Sequence, residues 1–317
     1  MATEERFFYH CFPRGQQANA DLGIKTLGLI AKIGFVLTPE VIAWDEPIAT
    51  GRGPTLKKLQ RRICFTQLPK GELKQHCATF GDFAIQYSYE TLRRIGGIPV
   101  FYVPQNRNQE VALDSAGSML ACRLHIIRKF FQNMVELKNM LNQPTLPAIV
   151  RLESPTFQTD VSAVEAKKVT DYLDIKPFSF EEFFYTIDAV QNLLLPTENP
   201  QHNGELAYYQ QREWRIIENY AMDGERLAKD LTEEQKQELL QTSTAFFDKD
   251  FTDENGLKRK RVDFCLVYPT VAKNHVLTFA TNVLVPALAV DSAKAVLKSH
   301  GINVPVLDID GYLAGKV

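Results

Sequence analysis

Residues 61–88 read RRICFTQLPKGELKQHCATFGDFAIQYS. A short apolar run, Ile63-Cys64-Phe65-Thr66, meets Pro69, and a helix-like segment follows at about 69–78. Gly81 and Asp82 then turn the chain into a second apolar run at 83–87. Runs rich in β-branched and aromatic residues, bounded by Pro, Gly and Asp, read as strands. The stretch therefore predicts a strand at 62–66, a helix, and a strand at 83–87. A helix at 88–95 and a strand at 99–103 (PVFYV) extend the pattern, with Pro99 at a strand start, where a missing N–H does least harm.

Upstream, 6–12 (RFFYHCF) reads as a strand. A helix at 21–33 carries Leu22, Leu27, Leu29, Ile30 and Ile33, and Gly34 stops it. Residues 38–58 hold Pro39, Pro47, Gly51, Gly53 and Pro54 and predict a loop too long to be a mere connection. Downstream, 116–141 forms a long amphipathic helix with Leu120, Leu124, Ile127, Phe131, Met134 and Leu141 on one side. From 143 to 207, six prolines (Pro144, Pro147, Pro155, Pro177, Pro196 and Pro200) predict irregular chain. After it come a strand at 212–217 (REWRII), a helix at 231–247 with acids in its first turn, and strands at 262–268 and 275–285. A helix at 286–299, opened by Pro286 and followed by Gly301, leads to a last strand at 304–307. The sum is an α+β protein in which 1–104 and 206–317 form two halves of one core and 105–205 is a mainly helical or irregular insertion.

Bulk properties narrow the function classes. The 317 residues are 45% apolar and 23% charged, an ordinary globular balance. Lys and Arg number 36 against 38 Asp and Glu, so a net charge of −2 gives no global attraction to nucleic acid or to an anionic membrane. Five cysteines without a CxxC pair exclude a zinc ribbon and predict free, buried thiols. The N-terminal MATEERFFYH carries acids before any apolar stretch, and no apolar run reaches a membrane span, which predicts a cytoplasmic protein. The six histidines are scattered, so no metal site is expected, and no phosphate-binding glycine motif is present.

Few residues suggest chemistry. His10 lies on an aromatic strand, and Glu213 lies mid-strand in QREWRI. Lys258, Arg259, Lys260 and Arg261 form a short basic cluster after an acidic turn, suited to a solvated hairpin tip or to a weak phosphate or nucleic-acid contact.

The order of these pieces adds a resemblance. FYHCF, then IAKIGFVLTPE, then ICFTQLPKGELKQHCATFGDFAIQYSYETLRRIGGIPVFYV, and later REWRI, resemble abortive phage-resistance proteins of the AbiG type. The resemblance spans about 6–104 and 205–220, with a weaker echo in 275–310, and leaves 105–205 uncovered. That layout is in turn similar to the ADP-ribosyltransferase fold, and implies a split mixed β-core. Carried over residue by residue, the likeness implies that NAD is the substrate. His10 would hold its adenosine ribose, Phe65 and Thr66 would wall the nicotinamide, and Glu213 would stabilise an oxocarbenium-like charge. A fixed carboxylate suits charge that develops in the transition state. In one departure, Cys64-Phe65-Thr66 stand where transferases of this kind carry a tyrosine. Two readings follow. One is an NAD-using transferase or NAD glycohydrolase of anti-phage defence. The other is a non-catalytic antitoxin or sensor that binds a defence or phage protein.

Overall fold

The computed structural model describes residues 6–14, 19–44, 56–103, 116–145, 148–154, 157–174, 179–197, 212–222 and 225–316. The aromatic run RFFYHCF forms β1 (Arg6–Phe12), with Phe8 and Phe12 buried on one face and Tyr9 and Cys11 on the other. Helix α1 (Ala20–Ile33) opens on Asn19, whose side chain accepts the Asp21 N–H at 2.8 Å. It ends on Gly34 at φ +92°, where an added Cβ would lie 2.3 Å from Pro269 Cα. Both the left-handed backbone and the close approach require glycine there.

Strand β2 (Phe35–Trp44) corrects the expected loop at 38–58, and β3 (Leu56–Pro69) is far longer than the expected 62–66. The prolines misled for a physical reason. Among the described residues the outer edge of β2 has no ladder partner beyond Leu37, so Pro39 costs no ladder hydrogen bond there. Next come α2 (Leu73–Phe80), β4 (Phe83–Tyr87), α3 (Tyr89–Arg94), β5 (Ile98–Pro99) and β6 (Phe101–Val103).

Helix α4 (Ala116–Leu141) has the predicted bounds. The following region is more regular than its prolines suggested. It holds the hairpin β7 (Ile149–Ser154) and β8 (Phe157–Ser162), helices α5 (Ala163–Leu173) and α6 (Phe180–Leu193), and β9 (Leu194–Pro196), which pairs parallel to β6. A capping box between Ser179 and Glu182 starts α6. Strand β10 (Glu213–Ile217) returns the chain to the core. The expected helix at 231–247 divides into Glu233–Thr242 and Thr244–Phe247. The strand expected at 262–268 shortens to Leu266–Tyr268 behind a 3-10 turn, Arg261–Phe264. Similarly, His275 accepts the Leu277 N–H and starts a 3-10 turn, so the strand expected at 275–285 is only Asn282–Val285. Helix Val290–Ser299, strand Val306–Asp308 and helix Ile309–Leu313 complete the described chain.

Ten strands form one mixed, mainly antiparallel sheet in the order Lys229–Asp230, Leu266–Tyr268, β2, β3, β1, β4, Asn282–Val285, Val306–Asp308, with β10 pairing both β3 and β5. Only the last two strands of that path run parallel. The register along β3 is informative. β1 pairs with residues 66–69 and β2 with 56–62, while β10 pairs with 62–66. Thr66 is flanked by both β1 and β10, and Arg62 by both β2 and β10. β1 and β2 therefore follow one another along one edge of β3, and the sheet splits between them.

The two faces differ. On one, Phe8, Phe35, Ile63, Phe65, Phe83, Ile85 and Tyr87 form the main core with α1 and helix Val290–Ser299. On the other, Tyr9, Cys11, Ala84 and Leu284 pack against α2 and helix Ile309–Leu313. The remainder of that second face is covered by α4 and α6.

Candidate functional site

Strand parity decides what the candidate residues can do together. Partners opposite one another in an antiparallel pair share a face, and neighbours along a strand alternate. Glu213 lies opposite Thr66, and Trp214 opposite Phe65. His10 shares the face of Phe8 and Phe12, and its ring lies 5.7 Å from that of Phe65 and 6.0 Å from that of Phe35. The structure thus brings His10 and Phe65 together on one face, and Thr66 and Glu213 on the other. The sheet itself stands between the two pairs.

Each candidate also has local work. At the split, Cys64 faces neither β1 nor β2, so its carbonyl has no strand partner on that edge. The half-buried His10 fills the gap, its Nδ1 donating to the Cys64 carbonyl at 2.9 Å. Backbone acceptors removed from water need such partners. Burial pushes the His10 imidazole down to about 4, against the raising effect of that hydrogen bond. It is neutral at pH 7. Phe65 is fully buried in the aromatic core and presents no open wall.

Glu213 is 7% exposed and accepts from Arg215 Nε at 2.6 Å. Burial acts to raise its pKa, but the Arg215 and Arg62 guanidiniums outweigh it and hold the carboxyl below its ordinary value. Arg215 also donates to Gln60 Oε1 at 3.0 Å. The basic run is a ribbon tip. Lys258–Lys260 pairs with Asp250–Thr252, and Lys260 bridges Asp250 at 3.0 Å and Asp248 at 3.4 Å. Arg261 turns away to lie 4.4 Å over the Phe246 ring, leaving Lys258, Arg259 and the carboxylate-bridged Lys260 as the exposed cations of the tip.

Sequence reasoning missed two linked features. The first is a buried polar layer. Lys58, Gln60 and Arg62 alternate along β3 and carry the signature of a solvated strand face, yet each is no more than 7% exposed. Lys58 bonds Asp188 of α6 at 2.5 Å, and Arg128 of α4 reaches the same carboxylate at 3.2 Å. Asn219 donates to Asp188 at 2.6 Å, and Gln60 donates to the Gln191 and Leu194 carbonyls at 3.1 and 3.3 Å. Charges and amides thus glue the insertion to the sheet. The period-2 pattern was the available signal, but nothing in it says that helices from another part of the chain cover that face.

The second feature is the reverse. Met119, Leu120, Ile126, Ile127 and Phe130 of α4 are 44% to 56% exposed. At 100° per residue these five occupy one arc of the helix, opposite buried Ala121 and half-buried Arg128. Of the expected core stripe on α4, Leu141 is buried, whereas Leu120 and Ile127 are exposed. Tyr172 of α5 and Phe183 and Tyr185 of α6 add further exposed apolar surface. This region therefore buries a charged pair, Lys58 with Asp188, against the sheet while leaving an apolar arc of α4 exposed.

Among the described residues no cluster of three or more His, Cys, Asp or Glu is placed to hold a metal ion, and no helix is long and apolar enough to cross a membrane. No curated protein and no solved structure matches the chain. One family model does, over residues 55–254: "Putative abortive phage resistance protein AbiGi, antitoxin". The match runs straight through the insertion that the sequence likeness had left uncovered, and it begins only after β1, α1 and β2. Because it spans more than half of the 317 residues, the chain belongs to the AbiGi abortive phage resistance family.

Proposed function

We propose that the protein is a non-catalytic antitoxin that restrains a toxin by direct contact, and that the outward apolar arc of α4 is the contact surface. The observation that carries this reading is that arc of five exposed side chains, which lies inside the family-matched region. Contiguous apolar surface of this kind marks protein-binding sites in soluble proteins. Burying Ile126 and Phe130 against a partner would contribute on the order of 1.5–3 kcal/mol each. The likeness of FYHCF, ICFTQLP and REWRI to an ADP-ribosyltransferase core is, on this reading, a likeness of scaffold, with its carboxylate spent on Arg215 and its histidine on the Cys64 carbonyl. An NAD-using enzyme would need His10, Phe65, Thr66 and Glu213 in one cleft, and their division between two faces favours the contact role.

The test is tagged full-length protein expressed in its native host, with wild type compared with an Ile126→Asp/Phe130→Asp double variant. Wild type should retain a stoichiometric toxin and suppress its growth arrest. The variant should retain at least tenfold less while melting at nearly the wild-type temperature, since both positions are exposed. Capture of nothing by wild type, or equal capture by both, overturns the proposal. A rise in melting temperature with millimolar NAD that His10→Ala abolishes would restore the transferase reading.

A further inference from the structure

A cleft of about 580 Å³ opens where the start of β3, one side of α4 and the turn after Asp250–Thr252 meet. That volume is within the range of small-molecule sites. Its lining includes Lys57, His125, Arg128 and Lys129, against one carboxylate, Glu254. Two observations make this more than a patch of solvated lysines.

The first is a charge imbalance that extends into the protein. Arg128 shares Asp188 with Lys58, so one buried carboxylate serves two cations. Glu254 is itself engaged, accepting the Leu59 backbone N–H, and burial pushes its carboxyl up toward the neutral form. Lys57 and Lys129 line the cleft and are both exposed, whereas the cations on Asp188 are Lys58 and Arg128. Concave, like-signed surfaces concentrate counter-ions.

The second is unmet hydrogen bonding. His125 Nδ1 and Arg128 Nε are buried and meet no hydrogen-bond partner among the described residues. Each such group left dry is costly, and a small shift of either side chain, both of which line the cleft, would let a ligand oxygen satisfy it. A phosphate supplies several strong acceptors and up to two negative charges.

We propose that this cleft binds a small phosphate-bearing anion, held between Lys57 of β3 and Lys129 of α4 and backed by Arg128 and His125. The site adjoins the apolar arc through Ile126, which belongs to both.

Pyrophosphate is the probe, titrated calorimetrically into the full-length protein at fixed ionic strength set with sodium chloride. The expected result is saturable binding at one site. A Lys57→Ala/Lys129→Ala double variant should weaken it at least tenfold, and Lys258→Ala/Arg259→Ala, which removes the same charge at the ribbon, should leave it within twofold. Both pairs are exposed, so each variant should keep the wild-type melting temperature, and Gln replaces Ala at 57 and 129 if it does not. Absence of saturable binding overturns the proposal, as does equal weakening by the two double variants. A Lys57→Ala/Lys129→Ala protein that keeps wild-type pyrophosphate affinity but no longer captures its protein partner also overturns it, by assigning the cleft to acidic side chains of that partner.

Discussion

His10 joins two parts of the sheet with one hydrogen bond. Its Nδ1 takes the Cys64 carbonyl left over where β1 departs from β3. That role fixes a pH response. Burial lowers its folded-state pKa to about 4 from 6.5, so between those values the unfolded chain binds a proton that the native protein refuses. The stability from this group is complete above pH 6.5 and is lost as pH falls toward 4, by up to roughly 3 kcal/mol for such a shift. His76, also lowered to about 4 by burial and by Arg14, adds to the slope. Urea unfolding at pH 7, 6 and 5 should show this loss, and His10→Gln should flatten the curve without abolishing it. A His10→Gln curve parallel to wild type would assign the slope elsewhere. Glu213 answers to the same logic with opposite charge. It is 8% exposed at its side chain and Arg215 only 1%, and removing one member of so buried a pair typically costs about 3–5 kcal/mol. A functional carboxylate and a structural one look alike in QREWRI; Arg215 is two residues away in sequence, but Gln60 and Arg62, which complete the network, are not.

Among the elements, those set by local signals were the legible ones. α4 and the REWRII strand stand where the sequence puts them, because amphipathic periodicity and strand composition act within a short window. Others depend on remote chain. β2 accommodates Pro39 where, among the described residues, its outer edge carries no partner, and Gly34 after α1 leaves room for Pro269, far along the sequence. A Cβ at 34 would meet Pro269 Cα at 2.3 Å and the Tyr268 carbonyl oxygen at 2.5 Å, on backbone at φ +92°. Gly34→Ala should therefore destabilise by about 2 kcal/mol or more, through both strain and displacement of strand Leu266–Tyr268. Chemical denaturation measures it, and a loss under 0.5 kcal/mol would mean the contact relaxes freely. The apolar side of α4 teaches the complementary lesson. Periodicity identifies an apolar face but not what covers it, so Leu120 and Ile127 read as core although they face outward.

On the scale of the molecule, two interfaces of different character hold the layers together. α1 and helix Val290–Ser299 lie on a large aromatic and aliphatic core, whereas α4 and α6 lie on Lys58, Gln60, Arg62 and Arg215 beside a smaller apolar cluster that joins Ala121, Leu194 and Leu195 to Ile42 and Trp44. The mixed helix-and-strand plan was legible from runs and turns. The separation of His10 from Glu213 required the register of three strands on β3. Hydrophobic cohesion is nondirectional and scales with area, while a polar contact persists only while its geometry does. The insertion should consequently be the less stable layer. Native-state hydrogen exchange should find the amides of α4 and α6 opening at lower free energy than those of β1 and β4, and uniform protection across all four would contradict this.

The polar layer between sheet and insertion has one more consequence. When two oily surfaces part, water resists. A seam of lysine, arginine, glutamine and aspartate is one that water can wet as it opens, since each group exchanges a protein partner for a solvent one. Opening this seam would leave the main core covered and would wet its polar half readily, so the resistance to opening comes chiefly from the small apolar cluster around Trp44.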